Sequence, residues 1–460
     1  MADYQLIYNC PGCGKRSPAP EAALTTKCEY CGLVVRIGAL HRVLKYFYPS
    51  RLDPYGARMA ADRYLKSQGL SLTGNIIDTQ FFYLPFYRFR GIALDYIVPP
   101  VKINPLAELS EDLPEKKPKL KAKDFDVTIP AFDSTDFNMI SLGIRPQSVP
   151  VYAFSYAEVA ADIRIIGSTI TPSIAEAQAL KMRDSNTLLY NKAEAAISAM
   201  IGERLTVIYF PVCALTHETN GEKKTVFVDA LAKRGYAQID KEFSYAGKLS
   251  ESANSHYIKP LRHQCPNCGA DLAEDHFSLF YPCHNCDRSY LLNDDSYNEV
   301  KPLSAQSSLC APYWRFPLEF NDRKSYKTVE DFSKILGGEI ALLRKEKRQN
   351  RFYLYSPAFK STDIHSWFDS AYSVLRTQPH DRLTESLPGQ SLAFCIDEIE
   401  ARQMAIFLWR MLTVKYAWKM KSKLAFDESS LPPGQIVWLP ATNLKSTAKA
   451  LNFKEVDVSN

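Results

Sequence analysis

Length, composition and charge describe an ordinary globular protein. The chain has 460 residues, which is room for two to four domains that each bury a core, and its 46% hydrophobic and 23% charged content is typical of such proteins. The longest strongly apolar helical run, Met404 to Val414, contains Arg410 and is too short to cross a bilayer. A net charge of +5 is too small to indicate a nucleic-acid partner by itself.

The first recognisable element in chain order is a set of paired cysteines, and the same set recurs in the second half. The first set is Cys10, Cys13, Cys28 and Cys31, and the second is Cys265, Cys268, Cys283 and Cys286. In both sets fourteen residues separate the two Cys-x-x-Cys pairs. Four thiolates at the corners of a tetrahedron suit Zn²⁺, and soft sulfur ligands select it over Mg²⁺ or Ca²⁺. The pattern predicts two zinc ions per chain.

Both sets resemble the zinc-ribbon family, because Cys-Pro-x-Cys-Gly opens each of them at Cys10 and at Cys265. The resemblance implies ribbons over residues 1–38 and 260–293, each with a structural metal. Gly14, Gly32 and Gly269 follow the second cysteine of a pair, where a positive φ turns backbone N–H groups toward sulfur. Asp287 departs from this pattern. Since ribbon folding depends largely on metal binding, we expect Cys268→Ser to unfold ribbon 2 and leave the rest intact.

Two other interpretations of the paired cysteines stay open at the sequence level. A rubredoxin-like iron site also uses four thiolates, although the loop between the pairs is short. A disulfide framework is less favoured, because no signal-peptide pattern precedes Cys10, and paired thiols without an export signal indicate metal in a reducing compartment. We therefore expect a cytoplasmic protein. The remaining Cys213, Cys310 and Cys395 lie in apolar runs and are interpreted as small buried side chains rather than reactive thiols.

Four short sequence segments that follow the first ribbon recur in the second half of the chain, in the same order and at a nearly constant offset. They pair Leu84–Phe89 with Ala311–Phe316, Pro130–Asp136 with Pro357–Asp363, Ser173–Glu176 with Asp397–Glu400, and Val207–Pro211 with Ile436–Pro440. We interpret the chain as a tandem duplication of an α+β fold, in which each copy is a four-cysteine ribbon followed by a mixed module. The modules are predicted over residues 39–245 and 294–460, and they would most naturally face each other about a pseudo-twofold axis.

Periodicity and capping patterns predict the elements of the modules. In chain order they are a helix from Asp53 to Gln68, an aromatic strand from Phe81 to Phe89, a long helix from Ser173 to Glu203, a strand from Thr225 to Ala230 without a counterpart in copy two, a linker from about Ser244 to Lys259, and a long helix from Asp397 to Lys423. Prolines inside the aromatic strands predict edge or bulged positions. The last helix is apolar around most of its circumference, which indicates burial between layers.

Several other residues could carry chemistry, and each has a simpler interpretation. The Ser-Thr-Asp words at 134–136 and 361–363 are interpreted as helix caps. Arg88 and Arg315 favour a structural ion pair or cation–π contact over an anion clamp. His263 and His284 lie beside a complete set of zinc ligands and are predicted to stay outside it. A Cys213–His217 nucleophile is discounted, because the strand-like context keeps the two side chains well apart, and Gly337-Gly338 is interpreted as a break rather than a phosphate cradle.

Charge clusters at two equivalent places. The basic segments Lys116–Lys123 and Arg344–Arg351 each precede a Pro-Ala-Phe word. They are either solvated loops or a surface for an acidic protein, a nucleic acid or an anionic membrane.

No catalytic constellation or nucleotide-binding motif appears in the sequence. The leading hypothesis is a non-catalytic, zinc-binding adaptor or scaffold subunit of an intracellular multiprotein assembly, with other proteins as partners. The alternatives are a nucleic-acid-binding component that uses the ribbons and basic loops, and an enzyme whose site lies between the modules.

Overall fold

The structure of the chain is a computed structural model. It describes residues 5–21, 23–38, 43–72, 74–98, 119–139, 141–142, 149–154, 163–187, 195–247, 249, 260–293, 296–305, 307, 309–322, 324–336, 349–361, 363–379, 383–413 and 431–441. Within these ranges the chain forms an α+β fold of 24 strands and six helices. Residues 116–118 and 344–348 of the two basic segments, Gly337-Gly338, the end of the predicted last helix and most of the predicted linker lie outside the described residues.

The first half of the chain builds a ten-stranded sheet around two very long strands. Its strands are β1 (Gln5–Asn9), β2 (Arg16–Pro20), β5 (Leu44–Phe47), β6 (Asn75–Val98), β7 (Lys119–Pro130), β8 (Val151–Ala153), β9 (Arg164–Ile165), β10 (Ala195–Thr219), β11 (Glu222–Asp229) and β12 (Arg234–Ile239). The order is β12-β11-β10-β5-β8-β1-β2, and β6 pairs with β10, β7 and β9. The helices are α1 (Pro54–Ser67), α2 (Ser134–Phe137) and α3 (Pro172–Thr187). The sheet thus joins strands of ribbon 1 to module 1.

The second half builds a six-stranded sheet from shorter strands. Its strands are β17 (Leu303–Ala305), β18 (Leu309–Pro317), β21 (Tyr353–Pro357), β22 (Leu383–Glu385), β23 (Gln390–Ser391) and β24 (Gln435–Pro440). The order is β21-β18-β24-β17-β22, with β23 beside β18, and β19 (Phe320–Asp322) and β20 (Lys324–Tyr326) form a separate hairpin. The helices are α4 (Val329–Leu336), α5 (Ile364–Thr377) and α6 (Glu398–Thr413). Among the described residues no helix has the length and apolar content needed to cross a membrane.

The two sheets share strand order, strand direction and register. The order β7-β6-β10-β5-β8 with β9 beside β6 has the same pattern as β21-β18-β24-β17-β22 with β23 beside β18. Phe86 pairs with Pro130 as Tyr313 pairs with Pro357, and the prolines of the aromatic words also occupy matching positions, Pro85 opposite Tyr209 and Pro312 opposite Trp438. This agreement supports the predicted duplication, which itself stays a prediction.

The prolines of the aromatic strands predict an edge position or a bulge. The edge position is wrong, because β6 and β18 pair on both sides, and the register shifts between β6 and β10 lie at Ile201–Arg204 and Thr216–His217, away from Pro85. Pro85 lies where β9, which pairs up to Tyr83, gives way to β7, which pairs from Phe86. Pro312 lies at the same junction between β23 and β21. A residue without an N–H donor is tolerated at such a gap in the ladder.

The helix predictions are confirmed in part. Helix α1 begins after Asp53, whose carboxylate accepts a hydrogen bond from Gly56 N–H at 2.7 Å. The predicted helix from Ser173 to Glu203 is wrong from Ala195 onward, where β10 begins. Its cap is also two residues earlier, since Thr171 Oγ1 accepts from Ile174 N–H. In the second half of the chain, Asp397 caps α6 as predicted, accepting from Glu400 N–H at 2.9 Å.

Helix α6 lies between the two sheets and joins the modules. It contacts β21 and β18 of its own module and β10 of module 1, and one continuous apolar core contains Leu94 and Ile201 together with Met404 and Leu408. The equivalent helix α3 contacts β6 and β7 and leaves Ile174 exposed. A pseudo-twofold axis would match the contact of α6 with β10 by a reciprocal contact of α3 with β24. The described contacts of α3 are with β6 and β7 of its own module, so the expected pseudo-twofold arrangement stays a prediction.

Candidate metal centres

The four cysteines of each set converge at one point. In ribbon 1, Sγ of Cys10 lies 3.7 Å from Sγ of Cys31, and Sγ of Cys13 lies 3.8 Å from Sγ of Cys28. In ribbon 2 the corresponding distances are 3.7 Å between Cys265 and Cys286 and 3.6 Å between Cys268 and Cys283. All four sulfurs of each set lie within 4.8 Å of one another. The cysteine spacing therefore identified every residue of both clusters.

The spacing of the sulfurs fits zinc. A tetrahedron with Zn–S bonds of about 2.3 Å has S···S edges of about 3.8 Å, which the observed distances approach. Four sulfurs complete the coordination and leave no open position for water or substrate. The arrangement is that of a structural site, in which a bound zinc would hold the two halves of each ribbon together.

The four Cys-x-x-Cys turns share one backbone geometry. The residue after the second cysteine has a positive φ in each turn, with values of 70° at Gly14, 71° at Gly32, 74° at Gly269 and 54° at Asp287. Its N–H donates to the carbonyl oxygen of the first cysteine at 2.9 to 3.0 Å. Asp287 therefore adopts the same turn without glycine, and the departure noted in the sequence does not change the local structure.

Nearby N–H and O–H groups favour the thiolate form of Cys28 and of Cys265. Burial raises the pKa of the Cys28 thiol, but the N–H groups of Cys31 and Tyr30 outweigh it and lower the pKa to about 6. In ribbon 2, burial is likewise outweighed at Cys265 by the N–H of Cys268 and the Tyr290 hydroxyl, so that its pKa is lowered to about 6. The Tyr290 hydroxyl lies 3.6 Å from Cys265 Sγ.

One cysteine in each set behaves in the opposite way. The N–H of Leu33 lowers the pKa of Cys31 and the N–H of Asn285 lowers that of Cys283, but burial and the neighbouring cysteines outweigh them and raise each pKa to about 11. Zinc requires deprotonated cysteine, so a bound ion would have to lower the pKa of Cys31 and Cys283.

The two ribbons lie against each other. Strand β13 (Leu261–Arg262) of ribbon 2 pairs antiparallel with β4 (Val34–Arg36) of ribbon 1, which continues to β3 (Thr25–Lys27). Thr25 adds side-chain contacts, because its Oγ1 donates to the Asp275 carbonyl oxygen at 2.6 Å. The other strands of ribbon 2 are β14 (Phe280–Pro282) and β15 (Ser289–Asn293), and β15 pairs with β16 (Ser296–Val300) at the start of module 2. Sequence reasoning missed this contact, because pairing between distant strands leaves no local pattern.

Neither histidine beside ribbon 2 belongs to its four-cysteine cluster. His263 is fully buried between the ribbons, with Nδ1 2.5 Å from the Tyr297 hydroxyl, and burial together with nearby Arg36 lowers its pKa to about 4. His284 is exposed. Both positions agree with the prediction that these residues stay outside the metal site.

The other candidate nucleophiles lie in unreactive surroundings. Burial raises the pKa of Cys213 and of Cys395 to about 12 each, so that both stay protonated thiols near neutral pH. Cys213 packs under helix α1, whereas the Nδ1 of His217 lies 3.3 Å from Thr219 Oγ1. The structure does not bring Cys213 and His217 together as a nucleophile and base.

Arg88 and Arg315 occupy equivalent strand positions but different environments. Arg88 is fully buried, where Nε and Nη2 donate to Asp126 at 2.9 and 2.7 Å and Nη1 lies 3.1 Å from Glu21 Oε2. Arg315 is half-buried, donates to Gln435 at 3.1 Å and stacks on the Tyr353 ring at 4.6 Å. The interpretation as a structural ion pair or cation–π contact holds for both.

Two clusters of polar side chains were not predicted from the sequence. Between the modules, Nη2 of Arg204 lies 3.9 Å from Asp397 and from buried Glu400. In module 1, a cavity of about 210 Å³ between α2 and the β11–β12 turn includes Asp229 in its lining. Oδ1 of Asp229 accepts from the N–H groups of Leu231 and Ala232, so the carboxylate stabilises that turn. The ion pairs of Arg204 and the hydrogen bonds of Asp229 thus account for both clusters as structural contacts.

The basic segments are only partly described. Lys119, Lys121 and Lys123 alternate along β7 with exposed side chains, and Arg351 forms an ion pair with Glu319 at 3.4 Å. Neither arrangement identifies an anion site.

Comparison with known proteins gave no relative from which a family could be assigned. No family model matches the chain, no curated protein matches it, and no solved structure matches it.

Proposed function

We propose that the chain is a non-catalytic, zinc-binding scaffold subunit of an intracellular multiprotein assembly. The observation that carries this proposal is the pair of closed four-sulfur clusters, since a metal with four protein ligands stabilises a fold without offering a position for chemistry. Strand β13 of ribbon 2 pairs with β4 of ribbon 1, and β1 of ribbon 1 belongs to the ten-stranded sheet. Bound metals would therefore stabilise a large continuous surface to which other proteins could bind.

The surroundings of the remaining candidate groups also favour a structural role over catalysis. The buried thiols of Cys213 and Cys395 have a raised pKa, and the inter-module carboxylates Asp397 and Glu400 each lie 3.9 Å from Arg204 Nη2. An enzyme site between the modules would need an acid, base or nucleophile poised for reaction. A nucleic-acid-binding component is the second candidate, favoured by the alternating exposed lysines of β7.

The first test is metal content. Elemental analysis of freshly purified, reduced protein should find two zinc ions per chain, and one or none would refute the assignment. Iron in place of zinc would support the rubredoxin-like alternative.

The second test is the composition of the native complex. Affinity purification of the tagged, zinc-loaded chain from its own cells, followed by size-exclusion chromatography and mass spectrometry, should yield other proteins in fixed stoichiometry. The Cys13→Ser and Cys268→Ser variants should lose them. A chain that elutes alone would contradict the scaffold role, and co-elution of nuclease-sensitive material would favour the second candidate.

A further inference from the structure

Helix α1 is an addition to module 1, and its outer side carries large apolar side chains. Module 1 has α1 between β5 and β6, whereas residues 306–308 alone join β17 to β18 in module 2. The inner side of α1 packs on the sheet through Ala57, Ala60, Ala61 and Leu65. On the outer side, Tyr55 is 72% exposed and Met59 is 43% exposed. Packing therefore explains the inner side of α1 but not the outer one.

Cations border the outer row of α1. Tyr55, Met59 and Arg63 are spaced four residues apart, which places them in one row along the helix. Nη2 of Arg63 donates to the Lys233 carbonyl oxygen at 3.1 Å, so the turn between β11 and β12 lies beside the row. The backbone N–H of Arg51 donates to the same turn at 3.0 Å. We define the α1 ridge as this row with its flanking cations, and its charged members are Arg51, Arg58, Arg63 and Lys233, all of which are exposed.

Nearby acids offset the four cations of the α1 ridge only in part. None of the four forms an ion pair with another residue in the described part of the chain. Asp53 caps α1, and Asp62, which also attracts Arg58, pairs with Lys66 at 2.7 Å. Asp229 lies buried at the β11–β12 turn and accepts hydrogen bonds from its N–H groups. Residues 51–66 and 229–234 together hold six cations and three carboxylates, so the surface keeps an excess of three positive charges.

Shape and chemistry indicate which anionic partner the α1 ridge fits. The helix lies on the sheet, so its outer row is convex and encloses no ligand. A helix that reads a nucleic acid presents polar side chains to bases and phosphates at its outermost positions, where α1 has Tyr55 and Met59. An acidic protein would have to cover about 800 Å² of the chain to bind stably, and two apolar side chains are a small core for such an interface.

A membrane surface requires only a few such side chains. Anionic lipids attract each cation near the surface, and a surface helix binds by shallow insertion of its outermost apolar side chains at the headgroup boundary. Tyrosine is enriched at that boundary, because its ring is apolar and its hydroxyl is polar. Tyr55 and Met59, bordered by the unpaired cations of the ridge, have this arrangement.

We infer that the α1 ridge docks the chain on a membrane that contains anionic lipids. Tyr55 and Met59 enter the headgroup region, and the four cations of the ridge face the lipid phosphates and carboxylates. The inference goes beyond the proposed scaffold function, because it assigns a membrane attachment that needs no protein partner.

The test measures binding of the purified, zinc-loaded, full-length chain to unilamellar vesicles by co-sedimentation. One set of vesicles contains phosphatidylcholine alone, and the other contains equal amounts of phosphatidylcholine and phosphatidylserine. The chain should bind the mixed vesicles at least about 10-fold more tightly than the neutral ones, and its affinity should fall as salt rises, because exposed charges are screened.

Loss of charge and loss of apolar side chains should have different effects. Arg58→Gln with Arg63→Gln should lower the partition coefficient for mixed vesicles about 30-fold and weaken its salt dependence, since each cation at an anionic membrane contributes about 5-fold. Tyr55→Gln with Met59→Gln should lower it about 10-fold and leave the salt dependence unchanged. All four residues are exposed, so urea unfolding of both variants should match that of the wild type.

The matched control is Lys301→Gln with Lys334→Gln. It removes the same charge from two exposed lysines of module 2 that are paired with glutamates, and it should bind as the wild type does. If the substitutions in α1 lower stability, Arg51→Gln with Lys233→Gln repeats the charge removal outside the helix and should lower vesicle binding about 30-fold.

No binding to mixed vesicles, or equal binding to both kinds, would overturn the inference. So would binding that either pair of ridge substitutions leaves unchanged, or that the control also loses. A labelled DNA or RNA duplex that binds instead of the vesicles, and that Arg58→Gln with Arg63→Gln releases, would replace the membrane by a nucleic acid. None of these results affects the scaffold function. Conversely, a chain that elutes without protein partners but binds mixed vesicles through the ridge would contradict the scaffold function alone.

Discussion

At the scale of single residues, matching positions in the two sheets have different physical roles. Arg88 and Arg315 follow the same Pro-aromatic word, but only Arg88 is enclosed. The difference arises from Glu21 of ribbon 1, whose side chain is buried against Arg88 and Arg90. A buried charge must be paired, because its desolvation is otherwise uncompensated.

We predict that Arg88→Met destabilises the protein by about 3 kcal/mol, because Asp126 and Glu21 lose their buried partner. Arg315→Met, the matched control, should cost less than about 1 kcal/mol, since Arg315 is half-buried with one hydrogen bond. Urea unfolding followed by tryptophan fluorescence measures both. Equal costs for the two substitutions would contradict the assigned difference in environment.

Glu400 leads to a pH-dependent prediction. Burial raises its pKa, partly opposed by Lys360 and Arg204. The carboxyl group of Glu400 therefore has a higher pKa in the folded protein than in the unfolded chain. Its contribution to the free energy of unfolding is fully present below the unfolded pKa and is lost as the pH rises through the folded pKa. The neutral variant Glu400→Gln should therefore gain stability relative to the wild type as the pH rises from about 4 to about 8, by about 1 kcal/mol at the upper end.

The control is Glu398→Gln on the first turn of the same helix. Oε1 of Glu398 accepts hydrogen bonds from Arg402 Nη2 and Gly434 N–H, both at 2.9 Å, so its replacement should lower stability. Denaturant unfolding at several pH values measures both variants. A wild-type advantage over Glu400→Gln that grows with pH would refute the prediction.

At the scale of elements, α3 and α6 show how the same structural position can be half-exposed or fully buried. Thr171 and Asp397 cap their first turns through equivalent hydrogen bonds. Beyond the cap, α3 has one buried stripe, whereas α6 packs on both sheets and is apolar nearly all round. The apolar circumference of α6 was correctly predicted to mean burial between layers, because a helix with one solvent face would keep polar residues there.

Met404→Ala should cost about 2 to 5 kcal/mol, because it leaves a cavity in the core between the two sheets. The exposed Gln178→Ala in the equivalent helix α3 should change stability by less than about 0.5 kcal/mol. Thermal and chemical unfolding of the two variants compare the positions directly. A small cost for Met404→Ala would mean that α6 is not enclosed between the sheets.

At the scale of the whole molecule, the ribbons are continuous with the body of the protein. Leu279 and Tyr290 of ribbon 2 belong to the core that also contains Trp409 and Trp438, and Leu6 and Val35 of ribbon 1 belong to a core of module 1. A shared core couples unfolding of the parts. The cysteine spacing predicts that Cys268→Ser unfolds ribbon 2 alone. Because the cores are shared, we expect instead that this substitution destabilises the whole protein.

Cys268→Ser should lose one zinc ion and lower the melting temperature of the entire protein by about 10 °C or more, because the metal-binding free energy of a structural site is large. Addition of a chelator to the wild type should shift the single transition in the same direction. Calorimetry distinguishes the alternatives, since an unchanged main transition with a small separate one would indicate an independent ribbon.

Local patterns in the chain were enough to identify the eight cysteines of the two clusters, the α+β class, the cap of α1 and the apolar nature of α6. These features are local, because spacing, capping and periodicity act over a few residues. The pairing of β4 with β13 and the enclosure of α6 by β10 emerged only in three dimensions. So did the strand conformation of residues 195–203, where Ala195–Ile201 pair with Ile92–Val98 of β6. Such long-range pairing overrides local propensity and leaves no mark within either segment.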